Sequence, residues 1–387
     1  MAKTILYIHQ SSELYGSDKA LLYLVKSIES SPEFKTIVVL PNKGPLKDLL
    51  EAFGVNVIVF PVIKISRSIF KPLKLLSLPF EIAKTTKRLH RLLKNENIDL
   101  IHSNTLAVLL GGFYAKRYKV KHLWHVHEII KKPKIVSKIY PFLVNSLSDT
   151  VVFNSEASKE VLCKNNQKLT KKAIVNLNGM DREKPPTSDK DIKAIRRELF
   201  GVNDNEKVIA LIGRISKWKG QTLLLEAFKK ASPENKNAKL IFVGSAPPNQ
   251  EYLVEELQQN ITQASLENLC SIIPFQENIW SIWDSIDIAV VPSIEPEPFG
   301  LVALEAMLSR KPVIAANHGG LKEIVLDGET GYFFNPGDVD DLSKKLKLML
   351  TNEEKSIDFG KKGYEHAKQK FSLDRHVSQF IDIYKKN

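Results

Sequence analysis

Short, almost unbroken apolar runs alternate with longer amphipathic ones along the whole chain. KTILYIH (3–9), FKTIVVLP (34–41), VNVIVFP (55–61), IDLIHSN (98–104), KHLWHVHE (121–128) and DTVVFNS (149–155) predict strands. DKALLYLVKSIES (18–30) predicts a helix between the first two. After a charged, proline-bearing stretch, DREKPPTSDKD (181–191), the pattern restarts. KVIALIGR (207–214), AKLIFVG (238–244), LCSIIPF (269–275), IDIAVVPS (286–293), PVIAAN (312–317) and GYFFNP (331–336) predict a second set of strands. QTLLLEAFKKA (221–231) and GLVALEAML (300–308) are helical segments between them. Strands this uniformly apolar suit parallel sheets covered on both faces. Two such series predict an α/β chain of two doubly wound domains.

In such sheets ligands sit beyond the carboxyl ends of the strands. His9, His102, His127, Ser155, Arg214, Gly244, Phe275 and Ser293 are expected there. Two domains presenting these ends to each other would enclose a cleft, a usual place for a ligand.

The 387 residues exceed what one core usually holds, and 43% apolar with 26% charged residues is ordinary for a globular protein. Cys163 and Cys270 have no metal-like spacing, which favours a reducing compartment over a disulfide framework. The first residues carry too short an apolar run for a signal peptide, and LAVLLGGFYA (106–115) is about half of the ~20 residues a membrane span needs. A cytoplasmic location is expected, with peripheral contact to the cytoplasmic face of a membrane. The net charge of +12 is uneven: residues 1–180 hold 28 Lys and Arg against 13 Asp and Glu, the remainder 28 against 31. That asymmetry points to an anionic partner for the first half.

Glu305 poses a question, because its helix neighbours Leu301, Val302 and Leu308 are apolar. A buried carboxylate there needs a polar partner. GRISKWKG (213–220) joins a strand to a helix, where Arg214 and Lys219 can converge on an anion, or remain solvated cations of a turn. In PSIEPEPFGLVALEA (292–306) the amides of Phe299, Gly300 and Leu301 can donate to a phosphate or sugar oxygen. Glu297 and Glu305 can each accept two hydroxyl donors; the structural alternative is a helix cap for Glu297 and a cation for Glu305. Gly319 and Gly320 in NHGGLKEIV (317–325) allow close backbone approach, as in a weaker way does Gly244 in VGSAPP (243–248). In YGSDKALL (15–22), Gly16 and Ser17 can admit a ligand, with Asp18 as a helix cap. His125 and His127 share a strand face; without a third ligand nearby a polar contact for His127 is the better expectation than a metal.

Together these junctions resemble the retaining glycosyltransferases of family 4. The resemblance lies in the two acids of EPFGLVALE, the Arg and Lys of GRISKWKG, and GGLKE followed by DGETGYFF, and it covers nearly the whole chain. It implies the GT-B fold: an acceptor-side Rossmann-like domain over 1–184, a nucleotide-sugar-binding one over 185–368, and a terminal helix at 369–387 packing back on the first. Arg214 and Lys219 would hold the diphosphate and Glu305 the ribose. Glu297 and the amides of Phe299, Gly300 and Leu301 would hold the donor sugar and distal phosphate. Pro274 and Phe275 would meet the base, His127 the reacting sugar, and Gly16 and Ser17 the phosphates and acceptor; Gly244 would line the donor side. The family loop is commonly Gly-Gly-x-Glu, where this chain has Tyr15-Gly16-Ser17-Asp18, and GSA at 244–246 replaces a common Gly-x-Gly.

The resemblance implies transfer of a sugar, a hexose by expectation, from a UDP- or GDP-sugar with retention of configuration. The leaving diphosphate would accept the acceptor's proton. No cofactor is expected, and no aspartate pair suited to a divalent ion follows a strand, so metal independence is expected. Residues 64–94 carry nine Lys and Arg and one acid among Leu and Phe. Lys64, Arg67, Lys71, Lys74, Lys84, Lys87, Arg88 and Arg91 suit an interfacial segment on anionic lipid, extended by Lys131, Lys132, Lys134 and Lys138; the alternative is an ordinary surface helix. A saccharide or lipid-linked acceptor, as in surface polysaccharide or lipopolysaccharide synthesis, follows. A hydrolysing nucleotide-sugar epimerase and a non-catalytic nucleotide-sugar binder are the competing readings. The cations match no recognisable nucleic-acid-binding motif.

Overall fold

The computed structural model describes residues 2–64, 72–131, 133–235 and 237–387, with the backbone alone at 72–75. The chain divides into two compact units, Met1–Met180 with Leu373–Asn387, and Asp181–Ser372.

In the first unit the apolar runs form β1 (Lys3–His9), β2 (Phe34–Leu40), β3 (Asn56–Val59), β4 (Leu100–Asn104), β5 (Lys121–Val126), β6 (Thr150–Phe153) and β7 (Ala173–Val175). They pair in parallel in the order β3-β2-β1-β4-β5-β6-β7. The connection reverses direction between β1 and β4, which opens a crevice at their carboxyl ends. Register sets His9 of β1 beside Asn104 of β4, and Asn104 beside His125 of β5. β7 has no counterpart among the predicted strands. It is three half-buried or exposed residues at the sheet edge, too short for any periodicity to show.

Alternate residues of β1 face opposite layers. Ile5 and Tyr7 pack with the helix Gly16–Glu29 and with Val377, Phe380 and Tyr384 of the terminal helix Leu373–Lys386. Leu6 and Ile8 pack with Leu89, Leu110 and Tyr114 on the other face.

The second unit contains β8 (Lys207–Ile212), β9 (Ala238–Val243), β10 (Cys270–Ile273), β11 (Ile288–Val291), β12 (Val313–Ala316) and β13 (Gly331–Phe334). All pairs are parallel, in the order β10-β9-β8-β11-β12-β13, with the reversal between β8 and β11. The helix Leu301–Leu308 is buried nearly all round, which explains its almost unbroken apolar sequence. Both units are therefore Rossmann-like parallel sheets, as the strand pattern predicts.

Candidate active site

In the second unit, three strand-to-helix junctions are bound together by backbone contacts that only glycine permits. Gly220 has φ +82°, and a Cβ there would lie 2.1 Å from the Pro292 carbonyl. A Cβ on Gly319 would lie 2.4 Å from the Glu297 carbonyl, and one on Gly320 2.6 Å from Phe299 Cα. The Gly320 amide donates to the Glu297 carbonyl at 2.8 Å. Ile294 donates to the Trp218 carbonyl, so the loop after β11 lies against the loop after β8.

That packing brings Lys219, which follows β8, onto Glu297, which follows β11. Lys219 Nζ donates to Glu297 Oε1 at 2.7 Å, with both side chains mostly buried. Ser293 Oγ donates to the same oxygen at 2.6 Å, and His318 Nε2 lies 2.7 Å from the Ser293 carbonyl. Among the described residues Glu297 Oε2 takes no hydrogen bond. Lys219 Nζ also lies 4.3 Å from the centre of the Trp218 ring. Glu297 is thus no helix cap: it and Lys219 form an ion pair bridging the strands at which the topology reverses. Arg214 stands at the same strand end, half-buried, with its carbonyl bound by Gln221 Nε2 at 3.0 Å.

Glu305 is 6% exposed, and its Oε2 accepts a hydrogen bond from Trp283 Nε1 at 3.2 Å. A neutral indole is a partner neither sequence alternative contained. Phe299 is buried with its ring edge-to-face on Phe371, so only its backbone is placed to meet a ligand. Gly300, at φ +114°, and Leu301 begin the helix. The Gly244 amide is bound by the Ile273 carbonyl, and a Cβ there would strike the Gly213 carbonyl. That glycine is accounted for by the close approach of two loops. The Phe275 ring is 64% exposed, its amide donates to Ser245 Oγ at 3.2 Å, and the Pro274 carbonyl accepts from Gln276 Nε2.

The first unit's strand ends hold a different set. His9 Nε2 lies 2.6 Å from Asp18 Oδ1, and Asp18 Oδ2 accepts the Tyr15 amide at 2.9 Å. Asn104 Nδ2 lies 3.1 Å from His9 Nδ1 and 3.3 Å from the Ser17 carbonyl; Asn104 Oδ1 lies 2.9 Å from His127 Nε2. Asp18 is more than the cap expected of it, and Asn104 was missed. The only signal for Asn104 was its place as the last residue of a predicted strand. Gly16 and Ser17 open the first helix beside this cluster. His102 is not at its strand end but within β4, where its Nδ1 lies 2.7 Å from the Tyr384 hydroxyl. Residue alternation sends it into the core under the terminal helix.

Burial, and secondarily His9 and His376, pushes the His127 pKa down to about 3. Burial likewise brings His122 and His376 to about 4 and holds His102 and His125 well below the usual imidazole range. These rings are neutral at pH 7. The Glu128 carboxyl, raised by burial, accepts the amides of Leu106 and His127.

Of the basic segment, Arg67 and Lys71 lie outside the described residues, as does Lys132, and the Lys74 side chain is not described. Lys64 Nζ is engaged by the Gln10 carbonyl at 3.1 Å. Leu76 and Phe80 are 81% and 71% exposed, and they share one stripe of the helix Pro72–Leu92 with Lys84, Lys87 and Arg91. Arg88 sits over the Phe60 ring. On the same sheet face, the helix Lys134–Leu147 exposes Ile135, Ile139 and Phe142 beside Lys138. Among the described residues no helix is long and apolar enough to cross a membrane.

A depression at the opposite, amino end of the second sheet is lined by charges of both signs, among them the ion pairs Arg196–Asp287 and Lys207–Glu353.

Comparison with known proteins agrees with this geometry. The family model described as Glycosyl transferases group 1 matches residues 192–366, and that described as Glycosyltransferase Family 4 matches 34–184. The chain is 32% identical over 203 residues to the D-inositol 3-phosphate glycosyltransferase of Corynebacterium aurimucosum, covering 51% of this chain and 47% of that protein. It is 32% identical over 188 residues to the lipopolysaccharide 1,2-N-acetylglucosaminetransferase of Salmonella typhimurium, covering 45% and 49%. The chain spans about half the length of these curated relatives. Among solved structures, HepE of Anabaena in complex with UDP and glucose superposes with a TM-score of 0.85 at 28% identity, covering 99% of each chain. HepE has also been solved with UDP and with UDP-glucose.

Proposed function

Because the chain belongs to the family 4 glycosyltransferases, we propose that it moves a sugar from a nucleoside-diphosphate sugar to a saccharide or lipid-linked saccharide, with retention of configuration. The observation that carries this reading is the Lys219–Glu297 pair at the reversal between β8 and β11, with Arg214 on the same strand end. A diphosphate suits the two cations, and Glu297 Oε2 accepts a donor-sugar hydroxyl. Glu305, held by Trp283, accepts from the ribose, and the exposed Phe275 ring stacks on the base. UDP is the favoured nucleotide, since HepE carries it.

In the reaction the bond from the anomeric carbon to the diphosphate oxygen breaks as the acceptor oxygen bonds to that carbon on the same face. The acceptor's proton passes to the leaving diphosphate oxygen. Arg214 and Lys219 stabilise the charge growing there, a role in which preorganised donors are worth several kcal/mol. No metal is required for this, because the side chains themselves supply the positive charge.

The acceptor side is assigned to an anionic lipid surface. Support comes from the exposed apolar residues on two helices on one sheet face, each flanked by cations. This matches assembly of a surface polysaccharide or lipopolysaccharide.

The test is a panel of UDP-, GDP- and ADP-sugars scored by melting temperature, followed by product analysis with and without acceptor. One nucleotide class should raise the melting temperature by mass action. No response to any of them, or release of an epimerised sugar without acceptor, would overturn the reading. Flotation with anionic and neutral vesicles tests the membrane assignment, and equal partitioning contradicts it.

A further inference from the structure

The charged stretch DREKPPTSDKD opens the second unit, and its arginine is far more engaged than a solvated linker needs. The Arg182 side chain is 14% exposed, and each of its five N–H groups meets an acceptor. Nε donates to the Lys184 carbonyl at 2.7 Å. Nη1 donates to Asp284 Oδ1 at 2.7 Å and to Ser309 Oγ at 3.2 Å. Nη2 donates to Asp284 Oδ2 at 2.6 Å and to the Pro185 carbonyl at 3.1 Å. The guanidinium also lies 5.3 Å from the centre of the Trp280 ring. Burial works against the charge on Asp284, but hydrogen bonds from Arg182 and Thr187 outweigh it and hold that carboxyl below the usual range. Asp284 ends the helix Ile279–Asp284, and Ser309 caps the helix Leu301–Leu308. One side chain therefore ties the carboxyl ends of both helices together. Lys311, just beyond the second helix, adds another tie: its Nζ donates to the Asp284 carbonyl at 3.0 Å.

The same two helices meet within a turn of these ties, where Trp283 Nε1 donates to Glu305 Oε2 at 3.2 Å. Trp283 immediately precedes Asp284. Glu305 lies one helical turn before Ser309, whose amide donates to the Glu305 carbonyl at 3.1 Å. We infer that Arg182 is a positioning residue for Glu305: by gripping Asp284 and Ser309 it sets the spacing of the two helices and keeps the Trp283 indole on the Glu305 carboxylate. A hydrogen bond already 3.2 Å long is lost by a slip of roughly half an ångström, so the spacing has little slack. Arginine suits the task because its planar fork carries five donors, where a lysine ammonium has three and no fork. The indole only donates, so it fixes the carboxylate without competing as an acceptor for incoming hydroxyls. That Glu305 takes the ribose hydroxyls rests on the glycosyltransferase reading; its placement by Arg182 does not.

The experiment follows the Trp283 indole N–H by proton–nitrogen correlation NMR on the full chain labelled with 15N-tryptophan, without substrate. Trp283→Phe identifies its signal by loss among those of the four tryptophans. In the wild type this N–H should be protected from exchange with solvent, and Arg182→Ala should speed its exchange by about tenfold. Free exchange in the wild type, or an unchanged signal in Arg182→Ala, overturns the inference. Ser309→Ala removes only the hydroxyl contact and leaves the Asp284 charge paired, and it should move the signal in the same direction. If Arg182→Ala does not fold, an unmoved signal in Ser309→Ala overturns the inference instead. For the functional half, titration calorimetry compares UDP with dideoxy-UDP, which lacks both ribose hydroxyls. Arg182→Ala should weaken UDP binding about fivefold, the size of one hydrogen bond, and leave dideoxy-UDP binding unchanged. Equal weakening of both would mark Arg182 as a general support of the fold and reject the positioning role. Absence of UDP binding by the wild type, or equal affinity for the two nucleotides, would count against the donor reading, and the indole result then decides the inference by itself.

Discussion

The two units place their polar residues at the same topological position, the reversal point of a parallel sheet, and use opposite chemistry there. The second unit presents full charges, Arg214, Lys219 and Glu297, on loops held by glycine contacts. The first presents a neutral imidazole and an amide in a buried chain anchored on Asp18. Stripping water from a charge is expensive, and Lys219 and Glu297 tolerate burial because each is the other's counter-charge. Neutral donors and acceptors tolerate deep burial once each is paired. The difference is in what each strand end offers: full charges in the second unit, paired neutral groups in the first.

Acid should break this comparison most strongly. Five histidines of the first unit, His102, His122, His125, His127 and His376, have pKa values pushed down by burial. The unfolded chain takes up protons near 6.5, the ordinary imidazole value, where the fold refuses them. Stability is therefore full above 6.5 and falls as pH drops from there towards 4, by up to about 1.4 kcal/mol per pH unit for each such histidine. Calorimetry should show the first unit losing cooperative melting by about pH 4.5. The second, where His366 is lowered less completely by burial, should persist to lower pH.

Removing charge at the second site comes next. Lys219→Ala and Arg214→Ala should each cost roughly a hundredfold in kcat with the fold intact, as measured by initial rates beside a melting curve. Gly220→Ala should destabilise the second unit by about 2–3 kcal/mol, since it adds a side chain at positive φ against the Pro292 carbonyl. Denaturant unfolding reads that cost. The smallest effect is expected of Trp283→Phe, which removes one donor to Glu305 and should weaken nucleotide binding by a few-fold in titration calorimetry.

Much of this architecture was legible in the chain because buried parallel strands are nearly continuous apolar runs, and each polar residue that ends one stands out. Arg214 is found that way; Lys219 and Glu297 stand out instead in the junction segments GRISKWKG and PSIEPEPFGLVALEA. β7 was not, being too short to carry a pattern. His102 was misplaced by two residues, since an apolar-to-polar switch marks a strand end only when the polar residue is not itself core. The indole on Glu305 comes from the separate short helix Ile279–Asp284, and no spacing in the sequence announces it. Asn104 and His9 are 95 positions apart and meet only because β1 and β4 pair in that register. Long-range register is the information that local periodicity lacks.

The most direct test of the division between the two sites is the affinity for the bare nucleoside diphosphate, UDP or GDP, of the wild type, Lys219→Ala and His127→Ala. Titration calorimetry should give at least tenfold weaker binding for Lys219→Ala and unchanged binding for His127→Ala. Equal weakening in both variants would contradict the proposal that Lys219 holds the diphosphate.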